Sequence, residues 1–215
     1  METVLITGAN RGIGAELHAQ ARAAGHRVIG TTRQTPGAAD WHTLEVTERA
    51  SQAALAAALE GVTLDLLVCN AGIYADKGLA LEDYTGAEMT TSFDVNVTGV
   101  LLTVQALLPR MAAGGRIAVI SSQMGSSARA PGGSYAYRAS KAAATNLAMN
   151  LATDLAPRGI YVGAYHPGWV QTDMGGASAQ TTPAESARGL LTRFAALGPN
   201  HTGIFETFEG QIHAF

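Results

Sequence analysis

A short apolar run, Thr3-Val4-Leu5-Ile6, leads at once into Thr7-Gly8-Ala9-Asn10-Arg11-Gly12-Ile13-Gly14 and then into the alanine-rich stretch Ala15 to Ala24. The first run is largely β-branched and reads as a buried strand; the last reads as a helix. A strand that turns through glycines straight into a helix is the opening of a βαβ unit, whose next strand lies parallel to the first. The pattern repeats down the chain. Strand-like runs are predicted at Thr3–Thr7, Arg27–Thr32, Trp41–Glu45, Leu64–Asn70, Gly115–Ser121, Tyr161–His166 and Gly203–Thr207. Helical stretches lie between most of them, the long ones near Gly86–Ala113 and Tyr135–Ala156. This alternation predicts an α/β fold, with a central parallel sheet of about seven strands covered by helices on both faces. With 47% hydrophobic residues, 215 residues suit a single domain over 1–215 with a sizeable core.

One connection departs from the pattern. Only Gln34 to Asp40 join the second and third strands, and they include Pro36 and Gly37. A parallel crossover ordinarily needs about a dozen residues. The crossover helix is therefore expected to be missing or reduced to a turn, leaving a more open floor beside the second strand.

Several function classes lose support from composition. The net charge is −3 and there is no basic block, so nucleic acid is not an expected partner. The six histidines lack metal-ligand spacing, and no metal is expected. No run of about 18 apolar residues is evident, so no membrane span is expected. The first strand starts almost at Met1, which leaves no room for a cleaved signal peptide. The single cysteine, Cys69, lies inside an apolar strand and reads as core. These features together predict a cytoplasmic protein.

In an open parallel sheet, ligands bind beyond the carboxyl ends of the strands, where strand order reverses. The glycine turn, Asn70-Ala71-Gly72, Ser122 and Pro167-Gly168 all follow predicted strands, so they should converge on one edge. Gly8, Gly12 and Gly14 would let the backbone approach a pyrophosphate, and the helix they open offers free N–H groups to it. Alone, the turn fits an ordinary strand–helix junction equally well, and its Gly-x-x-x-Gly-x-Gly spacing is not the Gly-x-Gly-x-x-Gly fingerprint.

Tyr137 and Lys141 stand four apart in Tyr-Arg-Ala-Ser-Lys, on one face of a predicted helix. A phenol titrates near pH ~10, and a nearby ammonium favours its ionised form. Such a pair can give and take a proton.

Together these motifs, with Asn96 in Phe-Asp-Val-Asn-Val-Thr-Gly, Ser122 in Ile-Ser-Ser-Gln-Met-Gly, and Pro167-Gly168 followed by Thr172, closely resemble the short-chain dehydrogenase/reductase family over nearly the whole chain. His166 to Met174 and the compact tail look most like the C-factor-like and sniffer-like carbonyl reductases. The resemblance implies a doubly wound, Rossmann-type domain and a nicotinamide dinucleotide. It implies Tyr137 as proton donor, Lys141 on the nicotinamide ribose, Ser122 on the carbonyl oxygen, and Asn96 holding a water near Lys141. Gly8, Asn10, Arg11, Gly12, Ile13, Gly14, Asn70, Ala71, Gly72, Pro167, Gly168, Val170 and Thr172 would line the cofactor, with Glu45 a weaker candidate near the adenine. Ser122 is preferred to Ser121 because it fits Ser-x-x-Gly, and because adjacent strand residues face opposite ways. Arg138 is expected to point away and be solvated. Enoyl reductases of the family have a Tyr-to-Lys gap of seven; the residue seven before Lys141 is Ser134, which argues against that reaction.

Charge suggests which dinucleotide. The second strand ends Thr31-Thr32-Arg33 without the acid that accepts from a ribose 2′-hydroxyl. Arg33 and Arg11 could instead hold a 2′-phosphate. NADP(H) is the expected cofactor, with NAD(H) as the alternative. Ser122, Tyr137, Met124 and Trp169, with Ile73, Tyr74 and Met174, are expected around the substrate. The segment Gly175 to Thr182 is too short to cover a long ligand. The expected reaction is reduction of a small or medium aldehyde, ketone or quinone. The alternatives are an NAD-dependent alcohol dehydrogenase, or a cofactor-binding signalling protein with little turnover. The resemblance also implies a homo-oligomer, dimer or tetramer, paired through the two long helices.

Overall fold

The apolar run at the start forms β1 (Thr3–Ile6), and the glycine turn delivers it into α1 (Gly12–Ala23). This is a computed structural model that describes residues 1–34 and 37–214. There follow β2 (Arg27–Thr32), β3 (Trp41–Thr43), α2 (Arg49–Ala58), β4 (Leu64–Cys69), α3 (Ala87–Phe93) and α4 (Gly99–Leu107). Then come β5 (Met111–Ile120), α5 (Tyr135–Leu155), β6 (Tyr161–His166), α6 (Pro183–Ala196) and β7 (Ile204–Thr207). All seven strands join one sheet in the order β3-β2-β1-β4-β5-β6-β7, and every pairing is parallel. The chain winds outward through β2 and β3, then crosses back and continues from β4 in the other direction. The order therefore reverses between β1 and β4, which opens the ligand crevice there.

Alternation along the strands divides the core into two layers. Leu5, Leu67, Ile117 and Val119 face one side, packed with Val100, Val104 and Ala148 of α4 and α5. Val4, Ile6, Val68 and Ala118 face the other, packed with Leu17 of α1 and Phe194 of α6. Each fully buried Val, Leu, Ile or Phe among them contributes about 1.5–3 kcal/mol relative to exposure.

The helix predicted over Gly86–Ala113 needs correcting at both ends of its logic. It is not continuous: a π-helical turn, Asp94–Thr98, separates α3 from α4. Nor does it reach Ala113, because Met111 already belongs to β5. Pro109 sits in a 3-10 turn at that junction, where it has no N–H to extend the helix. The helical run Ala87–Arg110 is also long and apolar enough to cross a membrane by length and composition, contrary to the expectation that no such segment exists. Here Val100, Val104 and Leu107 are buried in the core.

Between β2 and β3, residues 35 and 36 of the predicted reduced crossover lie outside the described residues. The remainder, 37–40, is non-helical. Asp40 is left-handed (φ 59), pairs with Arg27 at 2.7 Å and accepts from Gly30 N through its carbonyl. Trp41 covers this side of β2 in place of a helix. A Cβ on Gly30 would stand 2.9 Å from its ring, and the His18 ring of α1 packs against it, tilted by 40° with ring centres 4.7 Å apart.

Candidate active site

The loops that follow β1, β4, β5 and β6 meet at the switch edge. Asn70 does much of the joining: its Nδ2 donates to the Thr7 and Gly8 carbonyls at 2.9 and 3.1 Å. Thr7 Oγ1 accepts from Asn70 N and Ala71 N, both at 3.0 Å. Gly8 lies so close to Ala71 that a Cβ would fall 3.1 Å from its Cα, and its φ is +64, a conformation that favours glycine. A Cβ on Gly14 would lie 2.3 Å from the Gly8 carbonyl oxygen, so the turn closes only with glycine there. From the far side Thr172 approaches Gly12, whose Cβ would be 3.2 Å from the Thr172 methyl.

α1 begins without a side-chain cap and with no acid in its first turn. Its first amides are thus free to meet an anion. A pyrophosphate fits this cradle, and the residues to hold it are Gly8 to Gly14. Arg11, a candidate for the 2′-phosphate, is engaged by Asp173 at 3.0 Å, but the two side chains are 61% and 83% exposed. A pair that exposed is weak enough to be exchanged for another anion. Arg33 lies exposed just past β2. Glu45 falls beyond β3, and its carboxylate turns onto Thr47, accepting from the hydroxyl at 3.1 Å.

α5 carries Tyr137 and Lys141, both buried. Ser122 follows β5 and its hydroxyl faces Tyr137. Its Oγ also accepts from Met124 N at 3.1 Å, at the head of a 3-10 turn, Gln123–Gly125. Gly125 explains the Ser-x-x-Gly pattern: a Cβ there would be 2.6 Å from Ala142 N, so only glycine lets this turn lie on α5. The strand-alternation argument for Ser122 over Ser121 does not carry over, because β5 ends at Ile120. Ser121 also turns onto α5, donating to the Lys141 carbonyl at 2.9 Å and lying 2.6 Å from Thr145 Oγ1.

The electrostatics differ from the expected lysine-lowered phenol. Burial pushes Tyr137 up to about 12; the Ser122 hydrogen bond pulls the other way but does not overcome it. Burial lowers Lys141 to about 8. Lys141 Nζ donates to the Ile120 carbonyl at 2.9 Å and stands 5.8 Å from the centre of the Tyr137 ring. Desolvation therefore outweighs attraction at both groups. Tyr137 is held as a protonated phenol, the form that can donate.

Asn96 sits on the π-helical turn, 1% exposed. Its Nδ2 donates to the Ile73 carbonyl and Ser140 Oγ, at 3.0 and 2.9 Å, and its Oδ1 accepts from Ile73 N at 2.9 Å. Its amide is thus occupied by protein groups, the bonded arrangement that competes with a water-holding role. Gly72 is wedged between Asn96 and Lys141: its Cβ would be 3.1 Å from Asn96 Oδ1 and 3.3 Å from Lys141 Nζ.

Around the dyad, Tyr74 stacks on Tyr137 with ring centres 4.2 Å apart. The segment after β6 folds back through a parallel bridge between Val170 and Thr181. Trp169 is half exposed and donates its indole N–H to the Gly175 carbonyl. Lys77 fastens the same segment by donating to the Met174 carbonyl at 2.9 Å. Beside Trp169 opens a cavity of about 610 Å³ bounded by Gln123, Arg129, His166, Gln211 and His213. It adjoins Ser122 and Pro167 along the chain but is not lined by Tyr137. Its walls are largely polar, and of the residues expected around the substrate only Trp169 lines it. Arg138, expected to be solvated, donates to the Met124 and Arg129 carbonyls at 3.3 and 3.0 Å and ties down the loop after β5. His166 ends β6 as a buried residue, and burial lowers it to about 4. Cys69 is buried and pushed up to about 12 by desolvation, which suppresses its thiolate. No group of metal-ligating side chains occurs among the described residues.

Sequence reasoning missed Asp76. It is fully buried and accepts three hydrogen bonds, two from amides at the start of α5 and one from the Tyr84 hydroxyl. Its only local signal was an acid four residues past Asn70-Ala71-Gly72, with no spacing rule to connect it to Tyr137.

Comparison with known proteins identifies the family. A family model for short chain dehydrogenase matches residues 2–183. The C-signal protein of Myxococcus xanthus is 42% identical over 152 residues, covering 68% of this chain and 90% of that protein. An NADPH-bound carbonyl reductase from chicken fatty liver superposes with a TM-score of 0.91 at 33% identity, covering 100% and 99% of the two chains. The carbonyl reductase Sniffer of D. melanogaster also gives 0.91, at 28% identity and full coverage of both chains. Matched along most of its length by the family model and sharing its sheet and loops with these reductases, the chain belongs to the short-chain dehydrogenase/reductase family of oxidoreductases.

Proposed function

We propose that this protein is an NADP(H)-dependent reductase of small or medium carbonyl compounds, with Tyr137 as proton donor. The observation that carries the reading is the meeting of Ser122, Tyr137 and Lys141 in one buried cluster beside an uncapped glycine-turn helix. The NADPH in the chicken reductase supports the choice of cofactor, as does the lack of an acid at the end of β2. The residues to hold it are the glycine turn, Asn70 to Gly72, Lys141, and Pro167 to Thr172, with Arg33 and Arg11 for the 2′-phosphate.

A bound nicotinamide supplies hydride to the carbonyl carbon. The chain's own groups manage the oxygen. Ser122 Oγ donates a hydrogen bond to it and orients it as negative charge grows. Tyr137 then gives its phenolic proton to that oxygen. With Lys141 about 8, its ammonium is in place near neutrality to stabilise the phenolate left behind. Tyr74, stacked on the phenol, narrows the approach. A polar portion of the substrate can extend toward the cavity beside Trp169.

The similarity to C-signal favours a second reading, a cofactor-binding signalling protein with little turnover. NADPH consumption by the purified protein against aldehydes, ketones and quinones, with NADH in parallel and Tyr137→Phe as control, separates the two. Turnover lost in the variant supports the reductase; NADPH binding without turnover across the panel favours the signalling protein. The proposal extends to a cytoplasmic homo-oligomer, which light scattering on the purified protein tests for assembly.

A further inference from the structure

α5 enters the site without a local cap. Ser134 precedes it, where a serine side chain ordinarily accepts from the first-turn amides. Ser134 is left-handed instead (φ 53) and makes no such bond. Its Oγ lies 2.5 Å from the Tyr74 hydroxyl. The first three amides of α5 find acceptors far away in the chain. Tyr135 N donates to Tyr84 Oη at 3.2 Å, Ala136 N to Asp76 Oδ2 at 2.8 Å, and Tyr137 N to Asp76 Oδ1 at 3.2 Å. The Tyr84 hydroxyl donates in turn to Asp76 Oδ2 at 2.7 Å.

Asp76 is 0% exposed. A carboxylate is costly to bury unless donors surround it. Two helix amides, a phenol and the positive end of the α5 dipole supply that surrounding. The cap acts directly on the residue that matters, since Tyr137 is the third residue of α5 and its own amide is one of the three. Its ring is fixed from the same loop by Tyr74.

We propose that Asp76, with Tyr84, positions Tyr137 for proton transfer by capping α5 from a distant loop. Asp76 touches no reacting atom and is a positioning residue. The inference rests on the reductase reading. A displacement of about 1 Å in a reacting group can lower a rate about 100-fold.

The test compares Asp76→Asn, Asp76→Ala and Tyr84→Phe with the unmodified protein for kcat, NADPH dissociation constant, solvent deuterium isotope effect on kcat, and amide exchange at Ala136 and Tyr137. In the folded Asp76 variants kcat should fall about 10–100-fold, with NADPH affinity unchanged, a larger isotope effect because proton transfer now limits, and faster amide exchange. Tyr84→Phe should move the same way but less. Unchanged kcat in a folded Asp76→Ala protein overturns the proposal. So does a parallel loss of kcat and NADPH affinity with an unchanged isotope effect, which marks a merely structural cap. If the Asp76 variants do not fold, Tyr84→Phe decides by the same criteria. If the unmodified protein turns over no carbonyl, the reductase reading fails by itself. Amide exchange then judges the cap, and unchanged exchange at Ala136 and Tyr137 overturns it.

Discussion

Two helices direct their N-termini at the same sheet edge and are finished in opposite ways. α1 starts with Arg11 in extended backbone, no side-chain cap and no acid in its first turn. α5 starts with all three leading amides bonded, two of them to the buried carboxylate of Asp76. The first terminus can accept an anion, because its N–H groups and dipole are not engaged by a side chain. The second has spent the same groups internally. It cannot attract a phosphate, but its first turn, with Tyr137, is held in one place. Binding needs an open terminus; aiming a proton donor needs a closed one.

The largest expected effect removes the chemistry of the closed end. Tyr137→Phe should lower kcat/KM about 10²–10⁴-fold while NADPH still binds, measured by turnover and by quenching of tryptophan fluorescence. Retained activity would move the proton donor elsewhere.

The comparison can also be broken from the other side, by sealing α1. Arg11 has φ −156 and ψ 167, backbone that suits a capping aspartate. Arg11→Asp should leave the ligand-free protein as stable or more so, by about 0.5–2 kcal/mol from the new cap. It should weaken NADPH on the order of 100-fold, because a carboxylate then faces the phosphates. Arg11→Asn, which caps without charge, should weaken it less. Unaltered NADPH affinity in Arg11→Asp would show that this terminus is not the phosphate cradle.

A smaller effect sharpens the choice of cofactor. Arg33→Ala should raise KM for NADPH about 10-fold, the scale of one charge-assisted hydrogen bond, and leave KM for NADH unchanged. Equal effects on both would remove Arg33 from the 2′-phosphate.

The smallest effect concerns pH and stability. Lys141 binds its proton less tightly when folded, because burial lowers it from 10.5 to about 8. Above the folded value the unfolded chain holds more protons than the native one, so stability should rise with pH. Tyr137 and Cys69 are shifted upward, from 10.0 and 9.0 to about 12 in each case, and they work in the opposite direction once the pH passes their unfolded values. The clean window is therefore between about pH 8 and 9, with a gain of about 1 kcal/mol. Denaturant titrations of the ligand-free protein should show this slope, and Lys141→Met should abolish it. The same slope in the variant would assign it to another group.

Much of this arrangement was legible in the chain. Short, nearly continuous apolar runs alternating with helical stretches placed about seven parallel strands, and the motifs that follow β1, β4, β5 and β6 were expected on one edge, where they meet. The long helix over 86–113 was less legible, since neither a π-helical turn at Asp94–Thr98 nor an early strand at Met111 changes the apolar pattern that suggested it. Arg138 reads as a solvated surface charge from its helical position, yet two loop carbonyls claim it.

The sequence by itself determined the α/β class, the glycine turn and the placing of Tyr137 and Lys141 on one helical face. Each of these is written in local periodicity, in glycines that tolerate no side chain, or in spacing along one helix. Tertiary structure alone decided how α5 is capped, which way the Tyr137 proton affinity moves, and where Arg11 and Glu45 spend their charges. Those outcomes depend on which distant loop packs against a helix end and on how far water is excluded from a phenol. Spacing along the chain encodes neither.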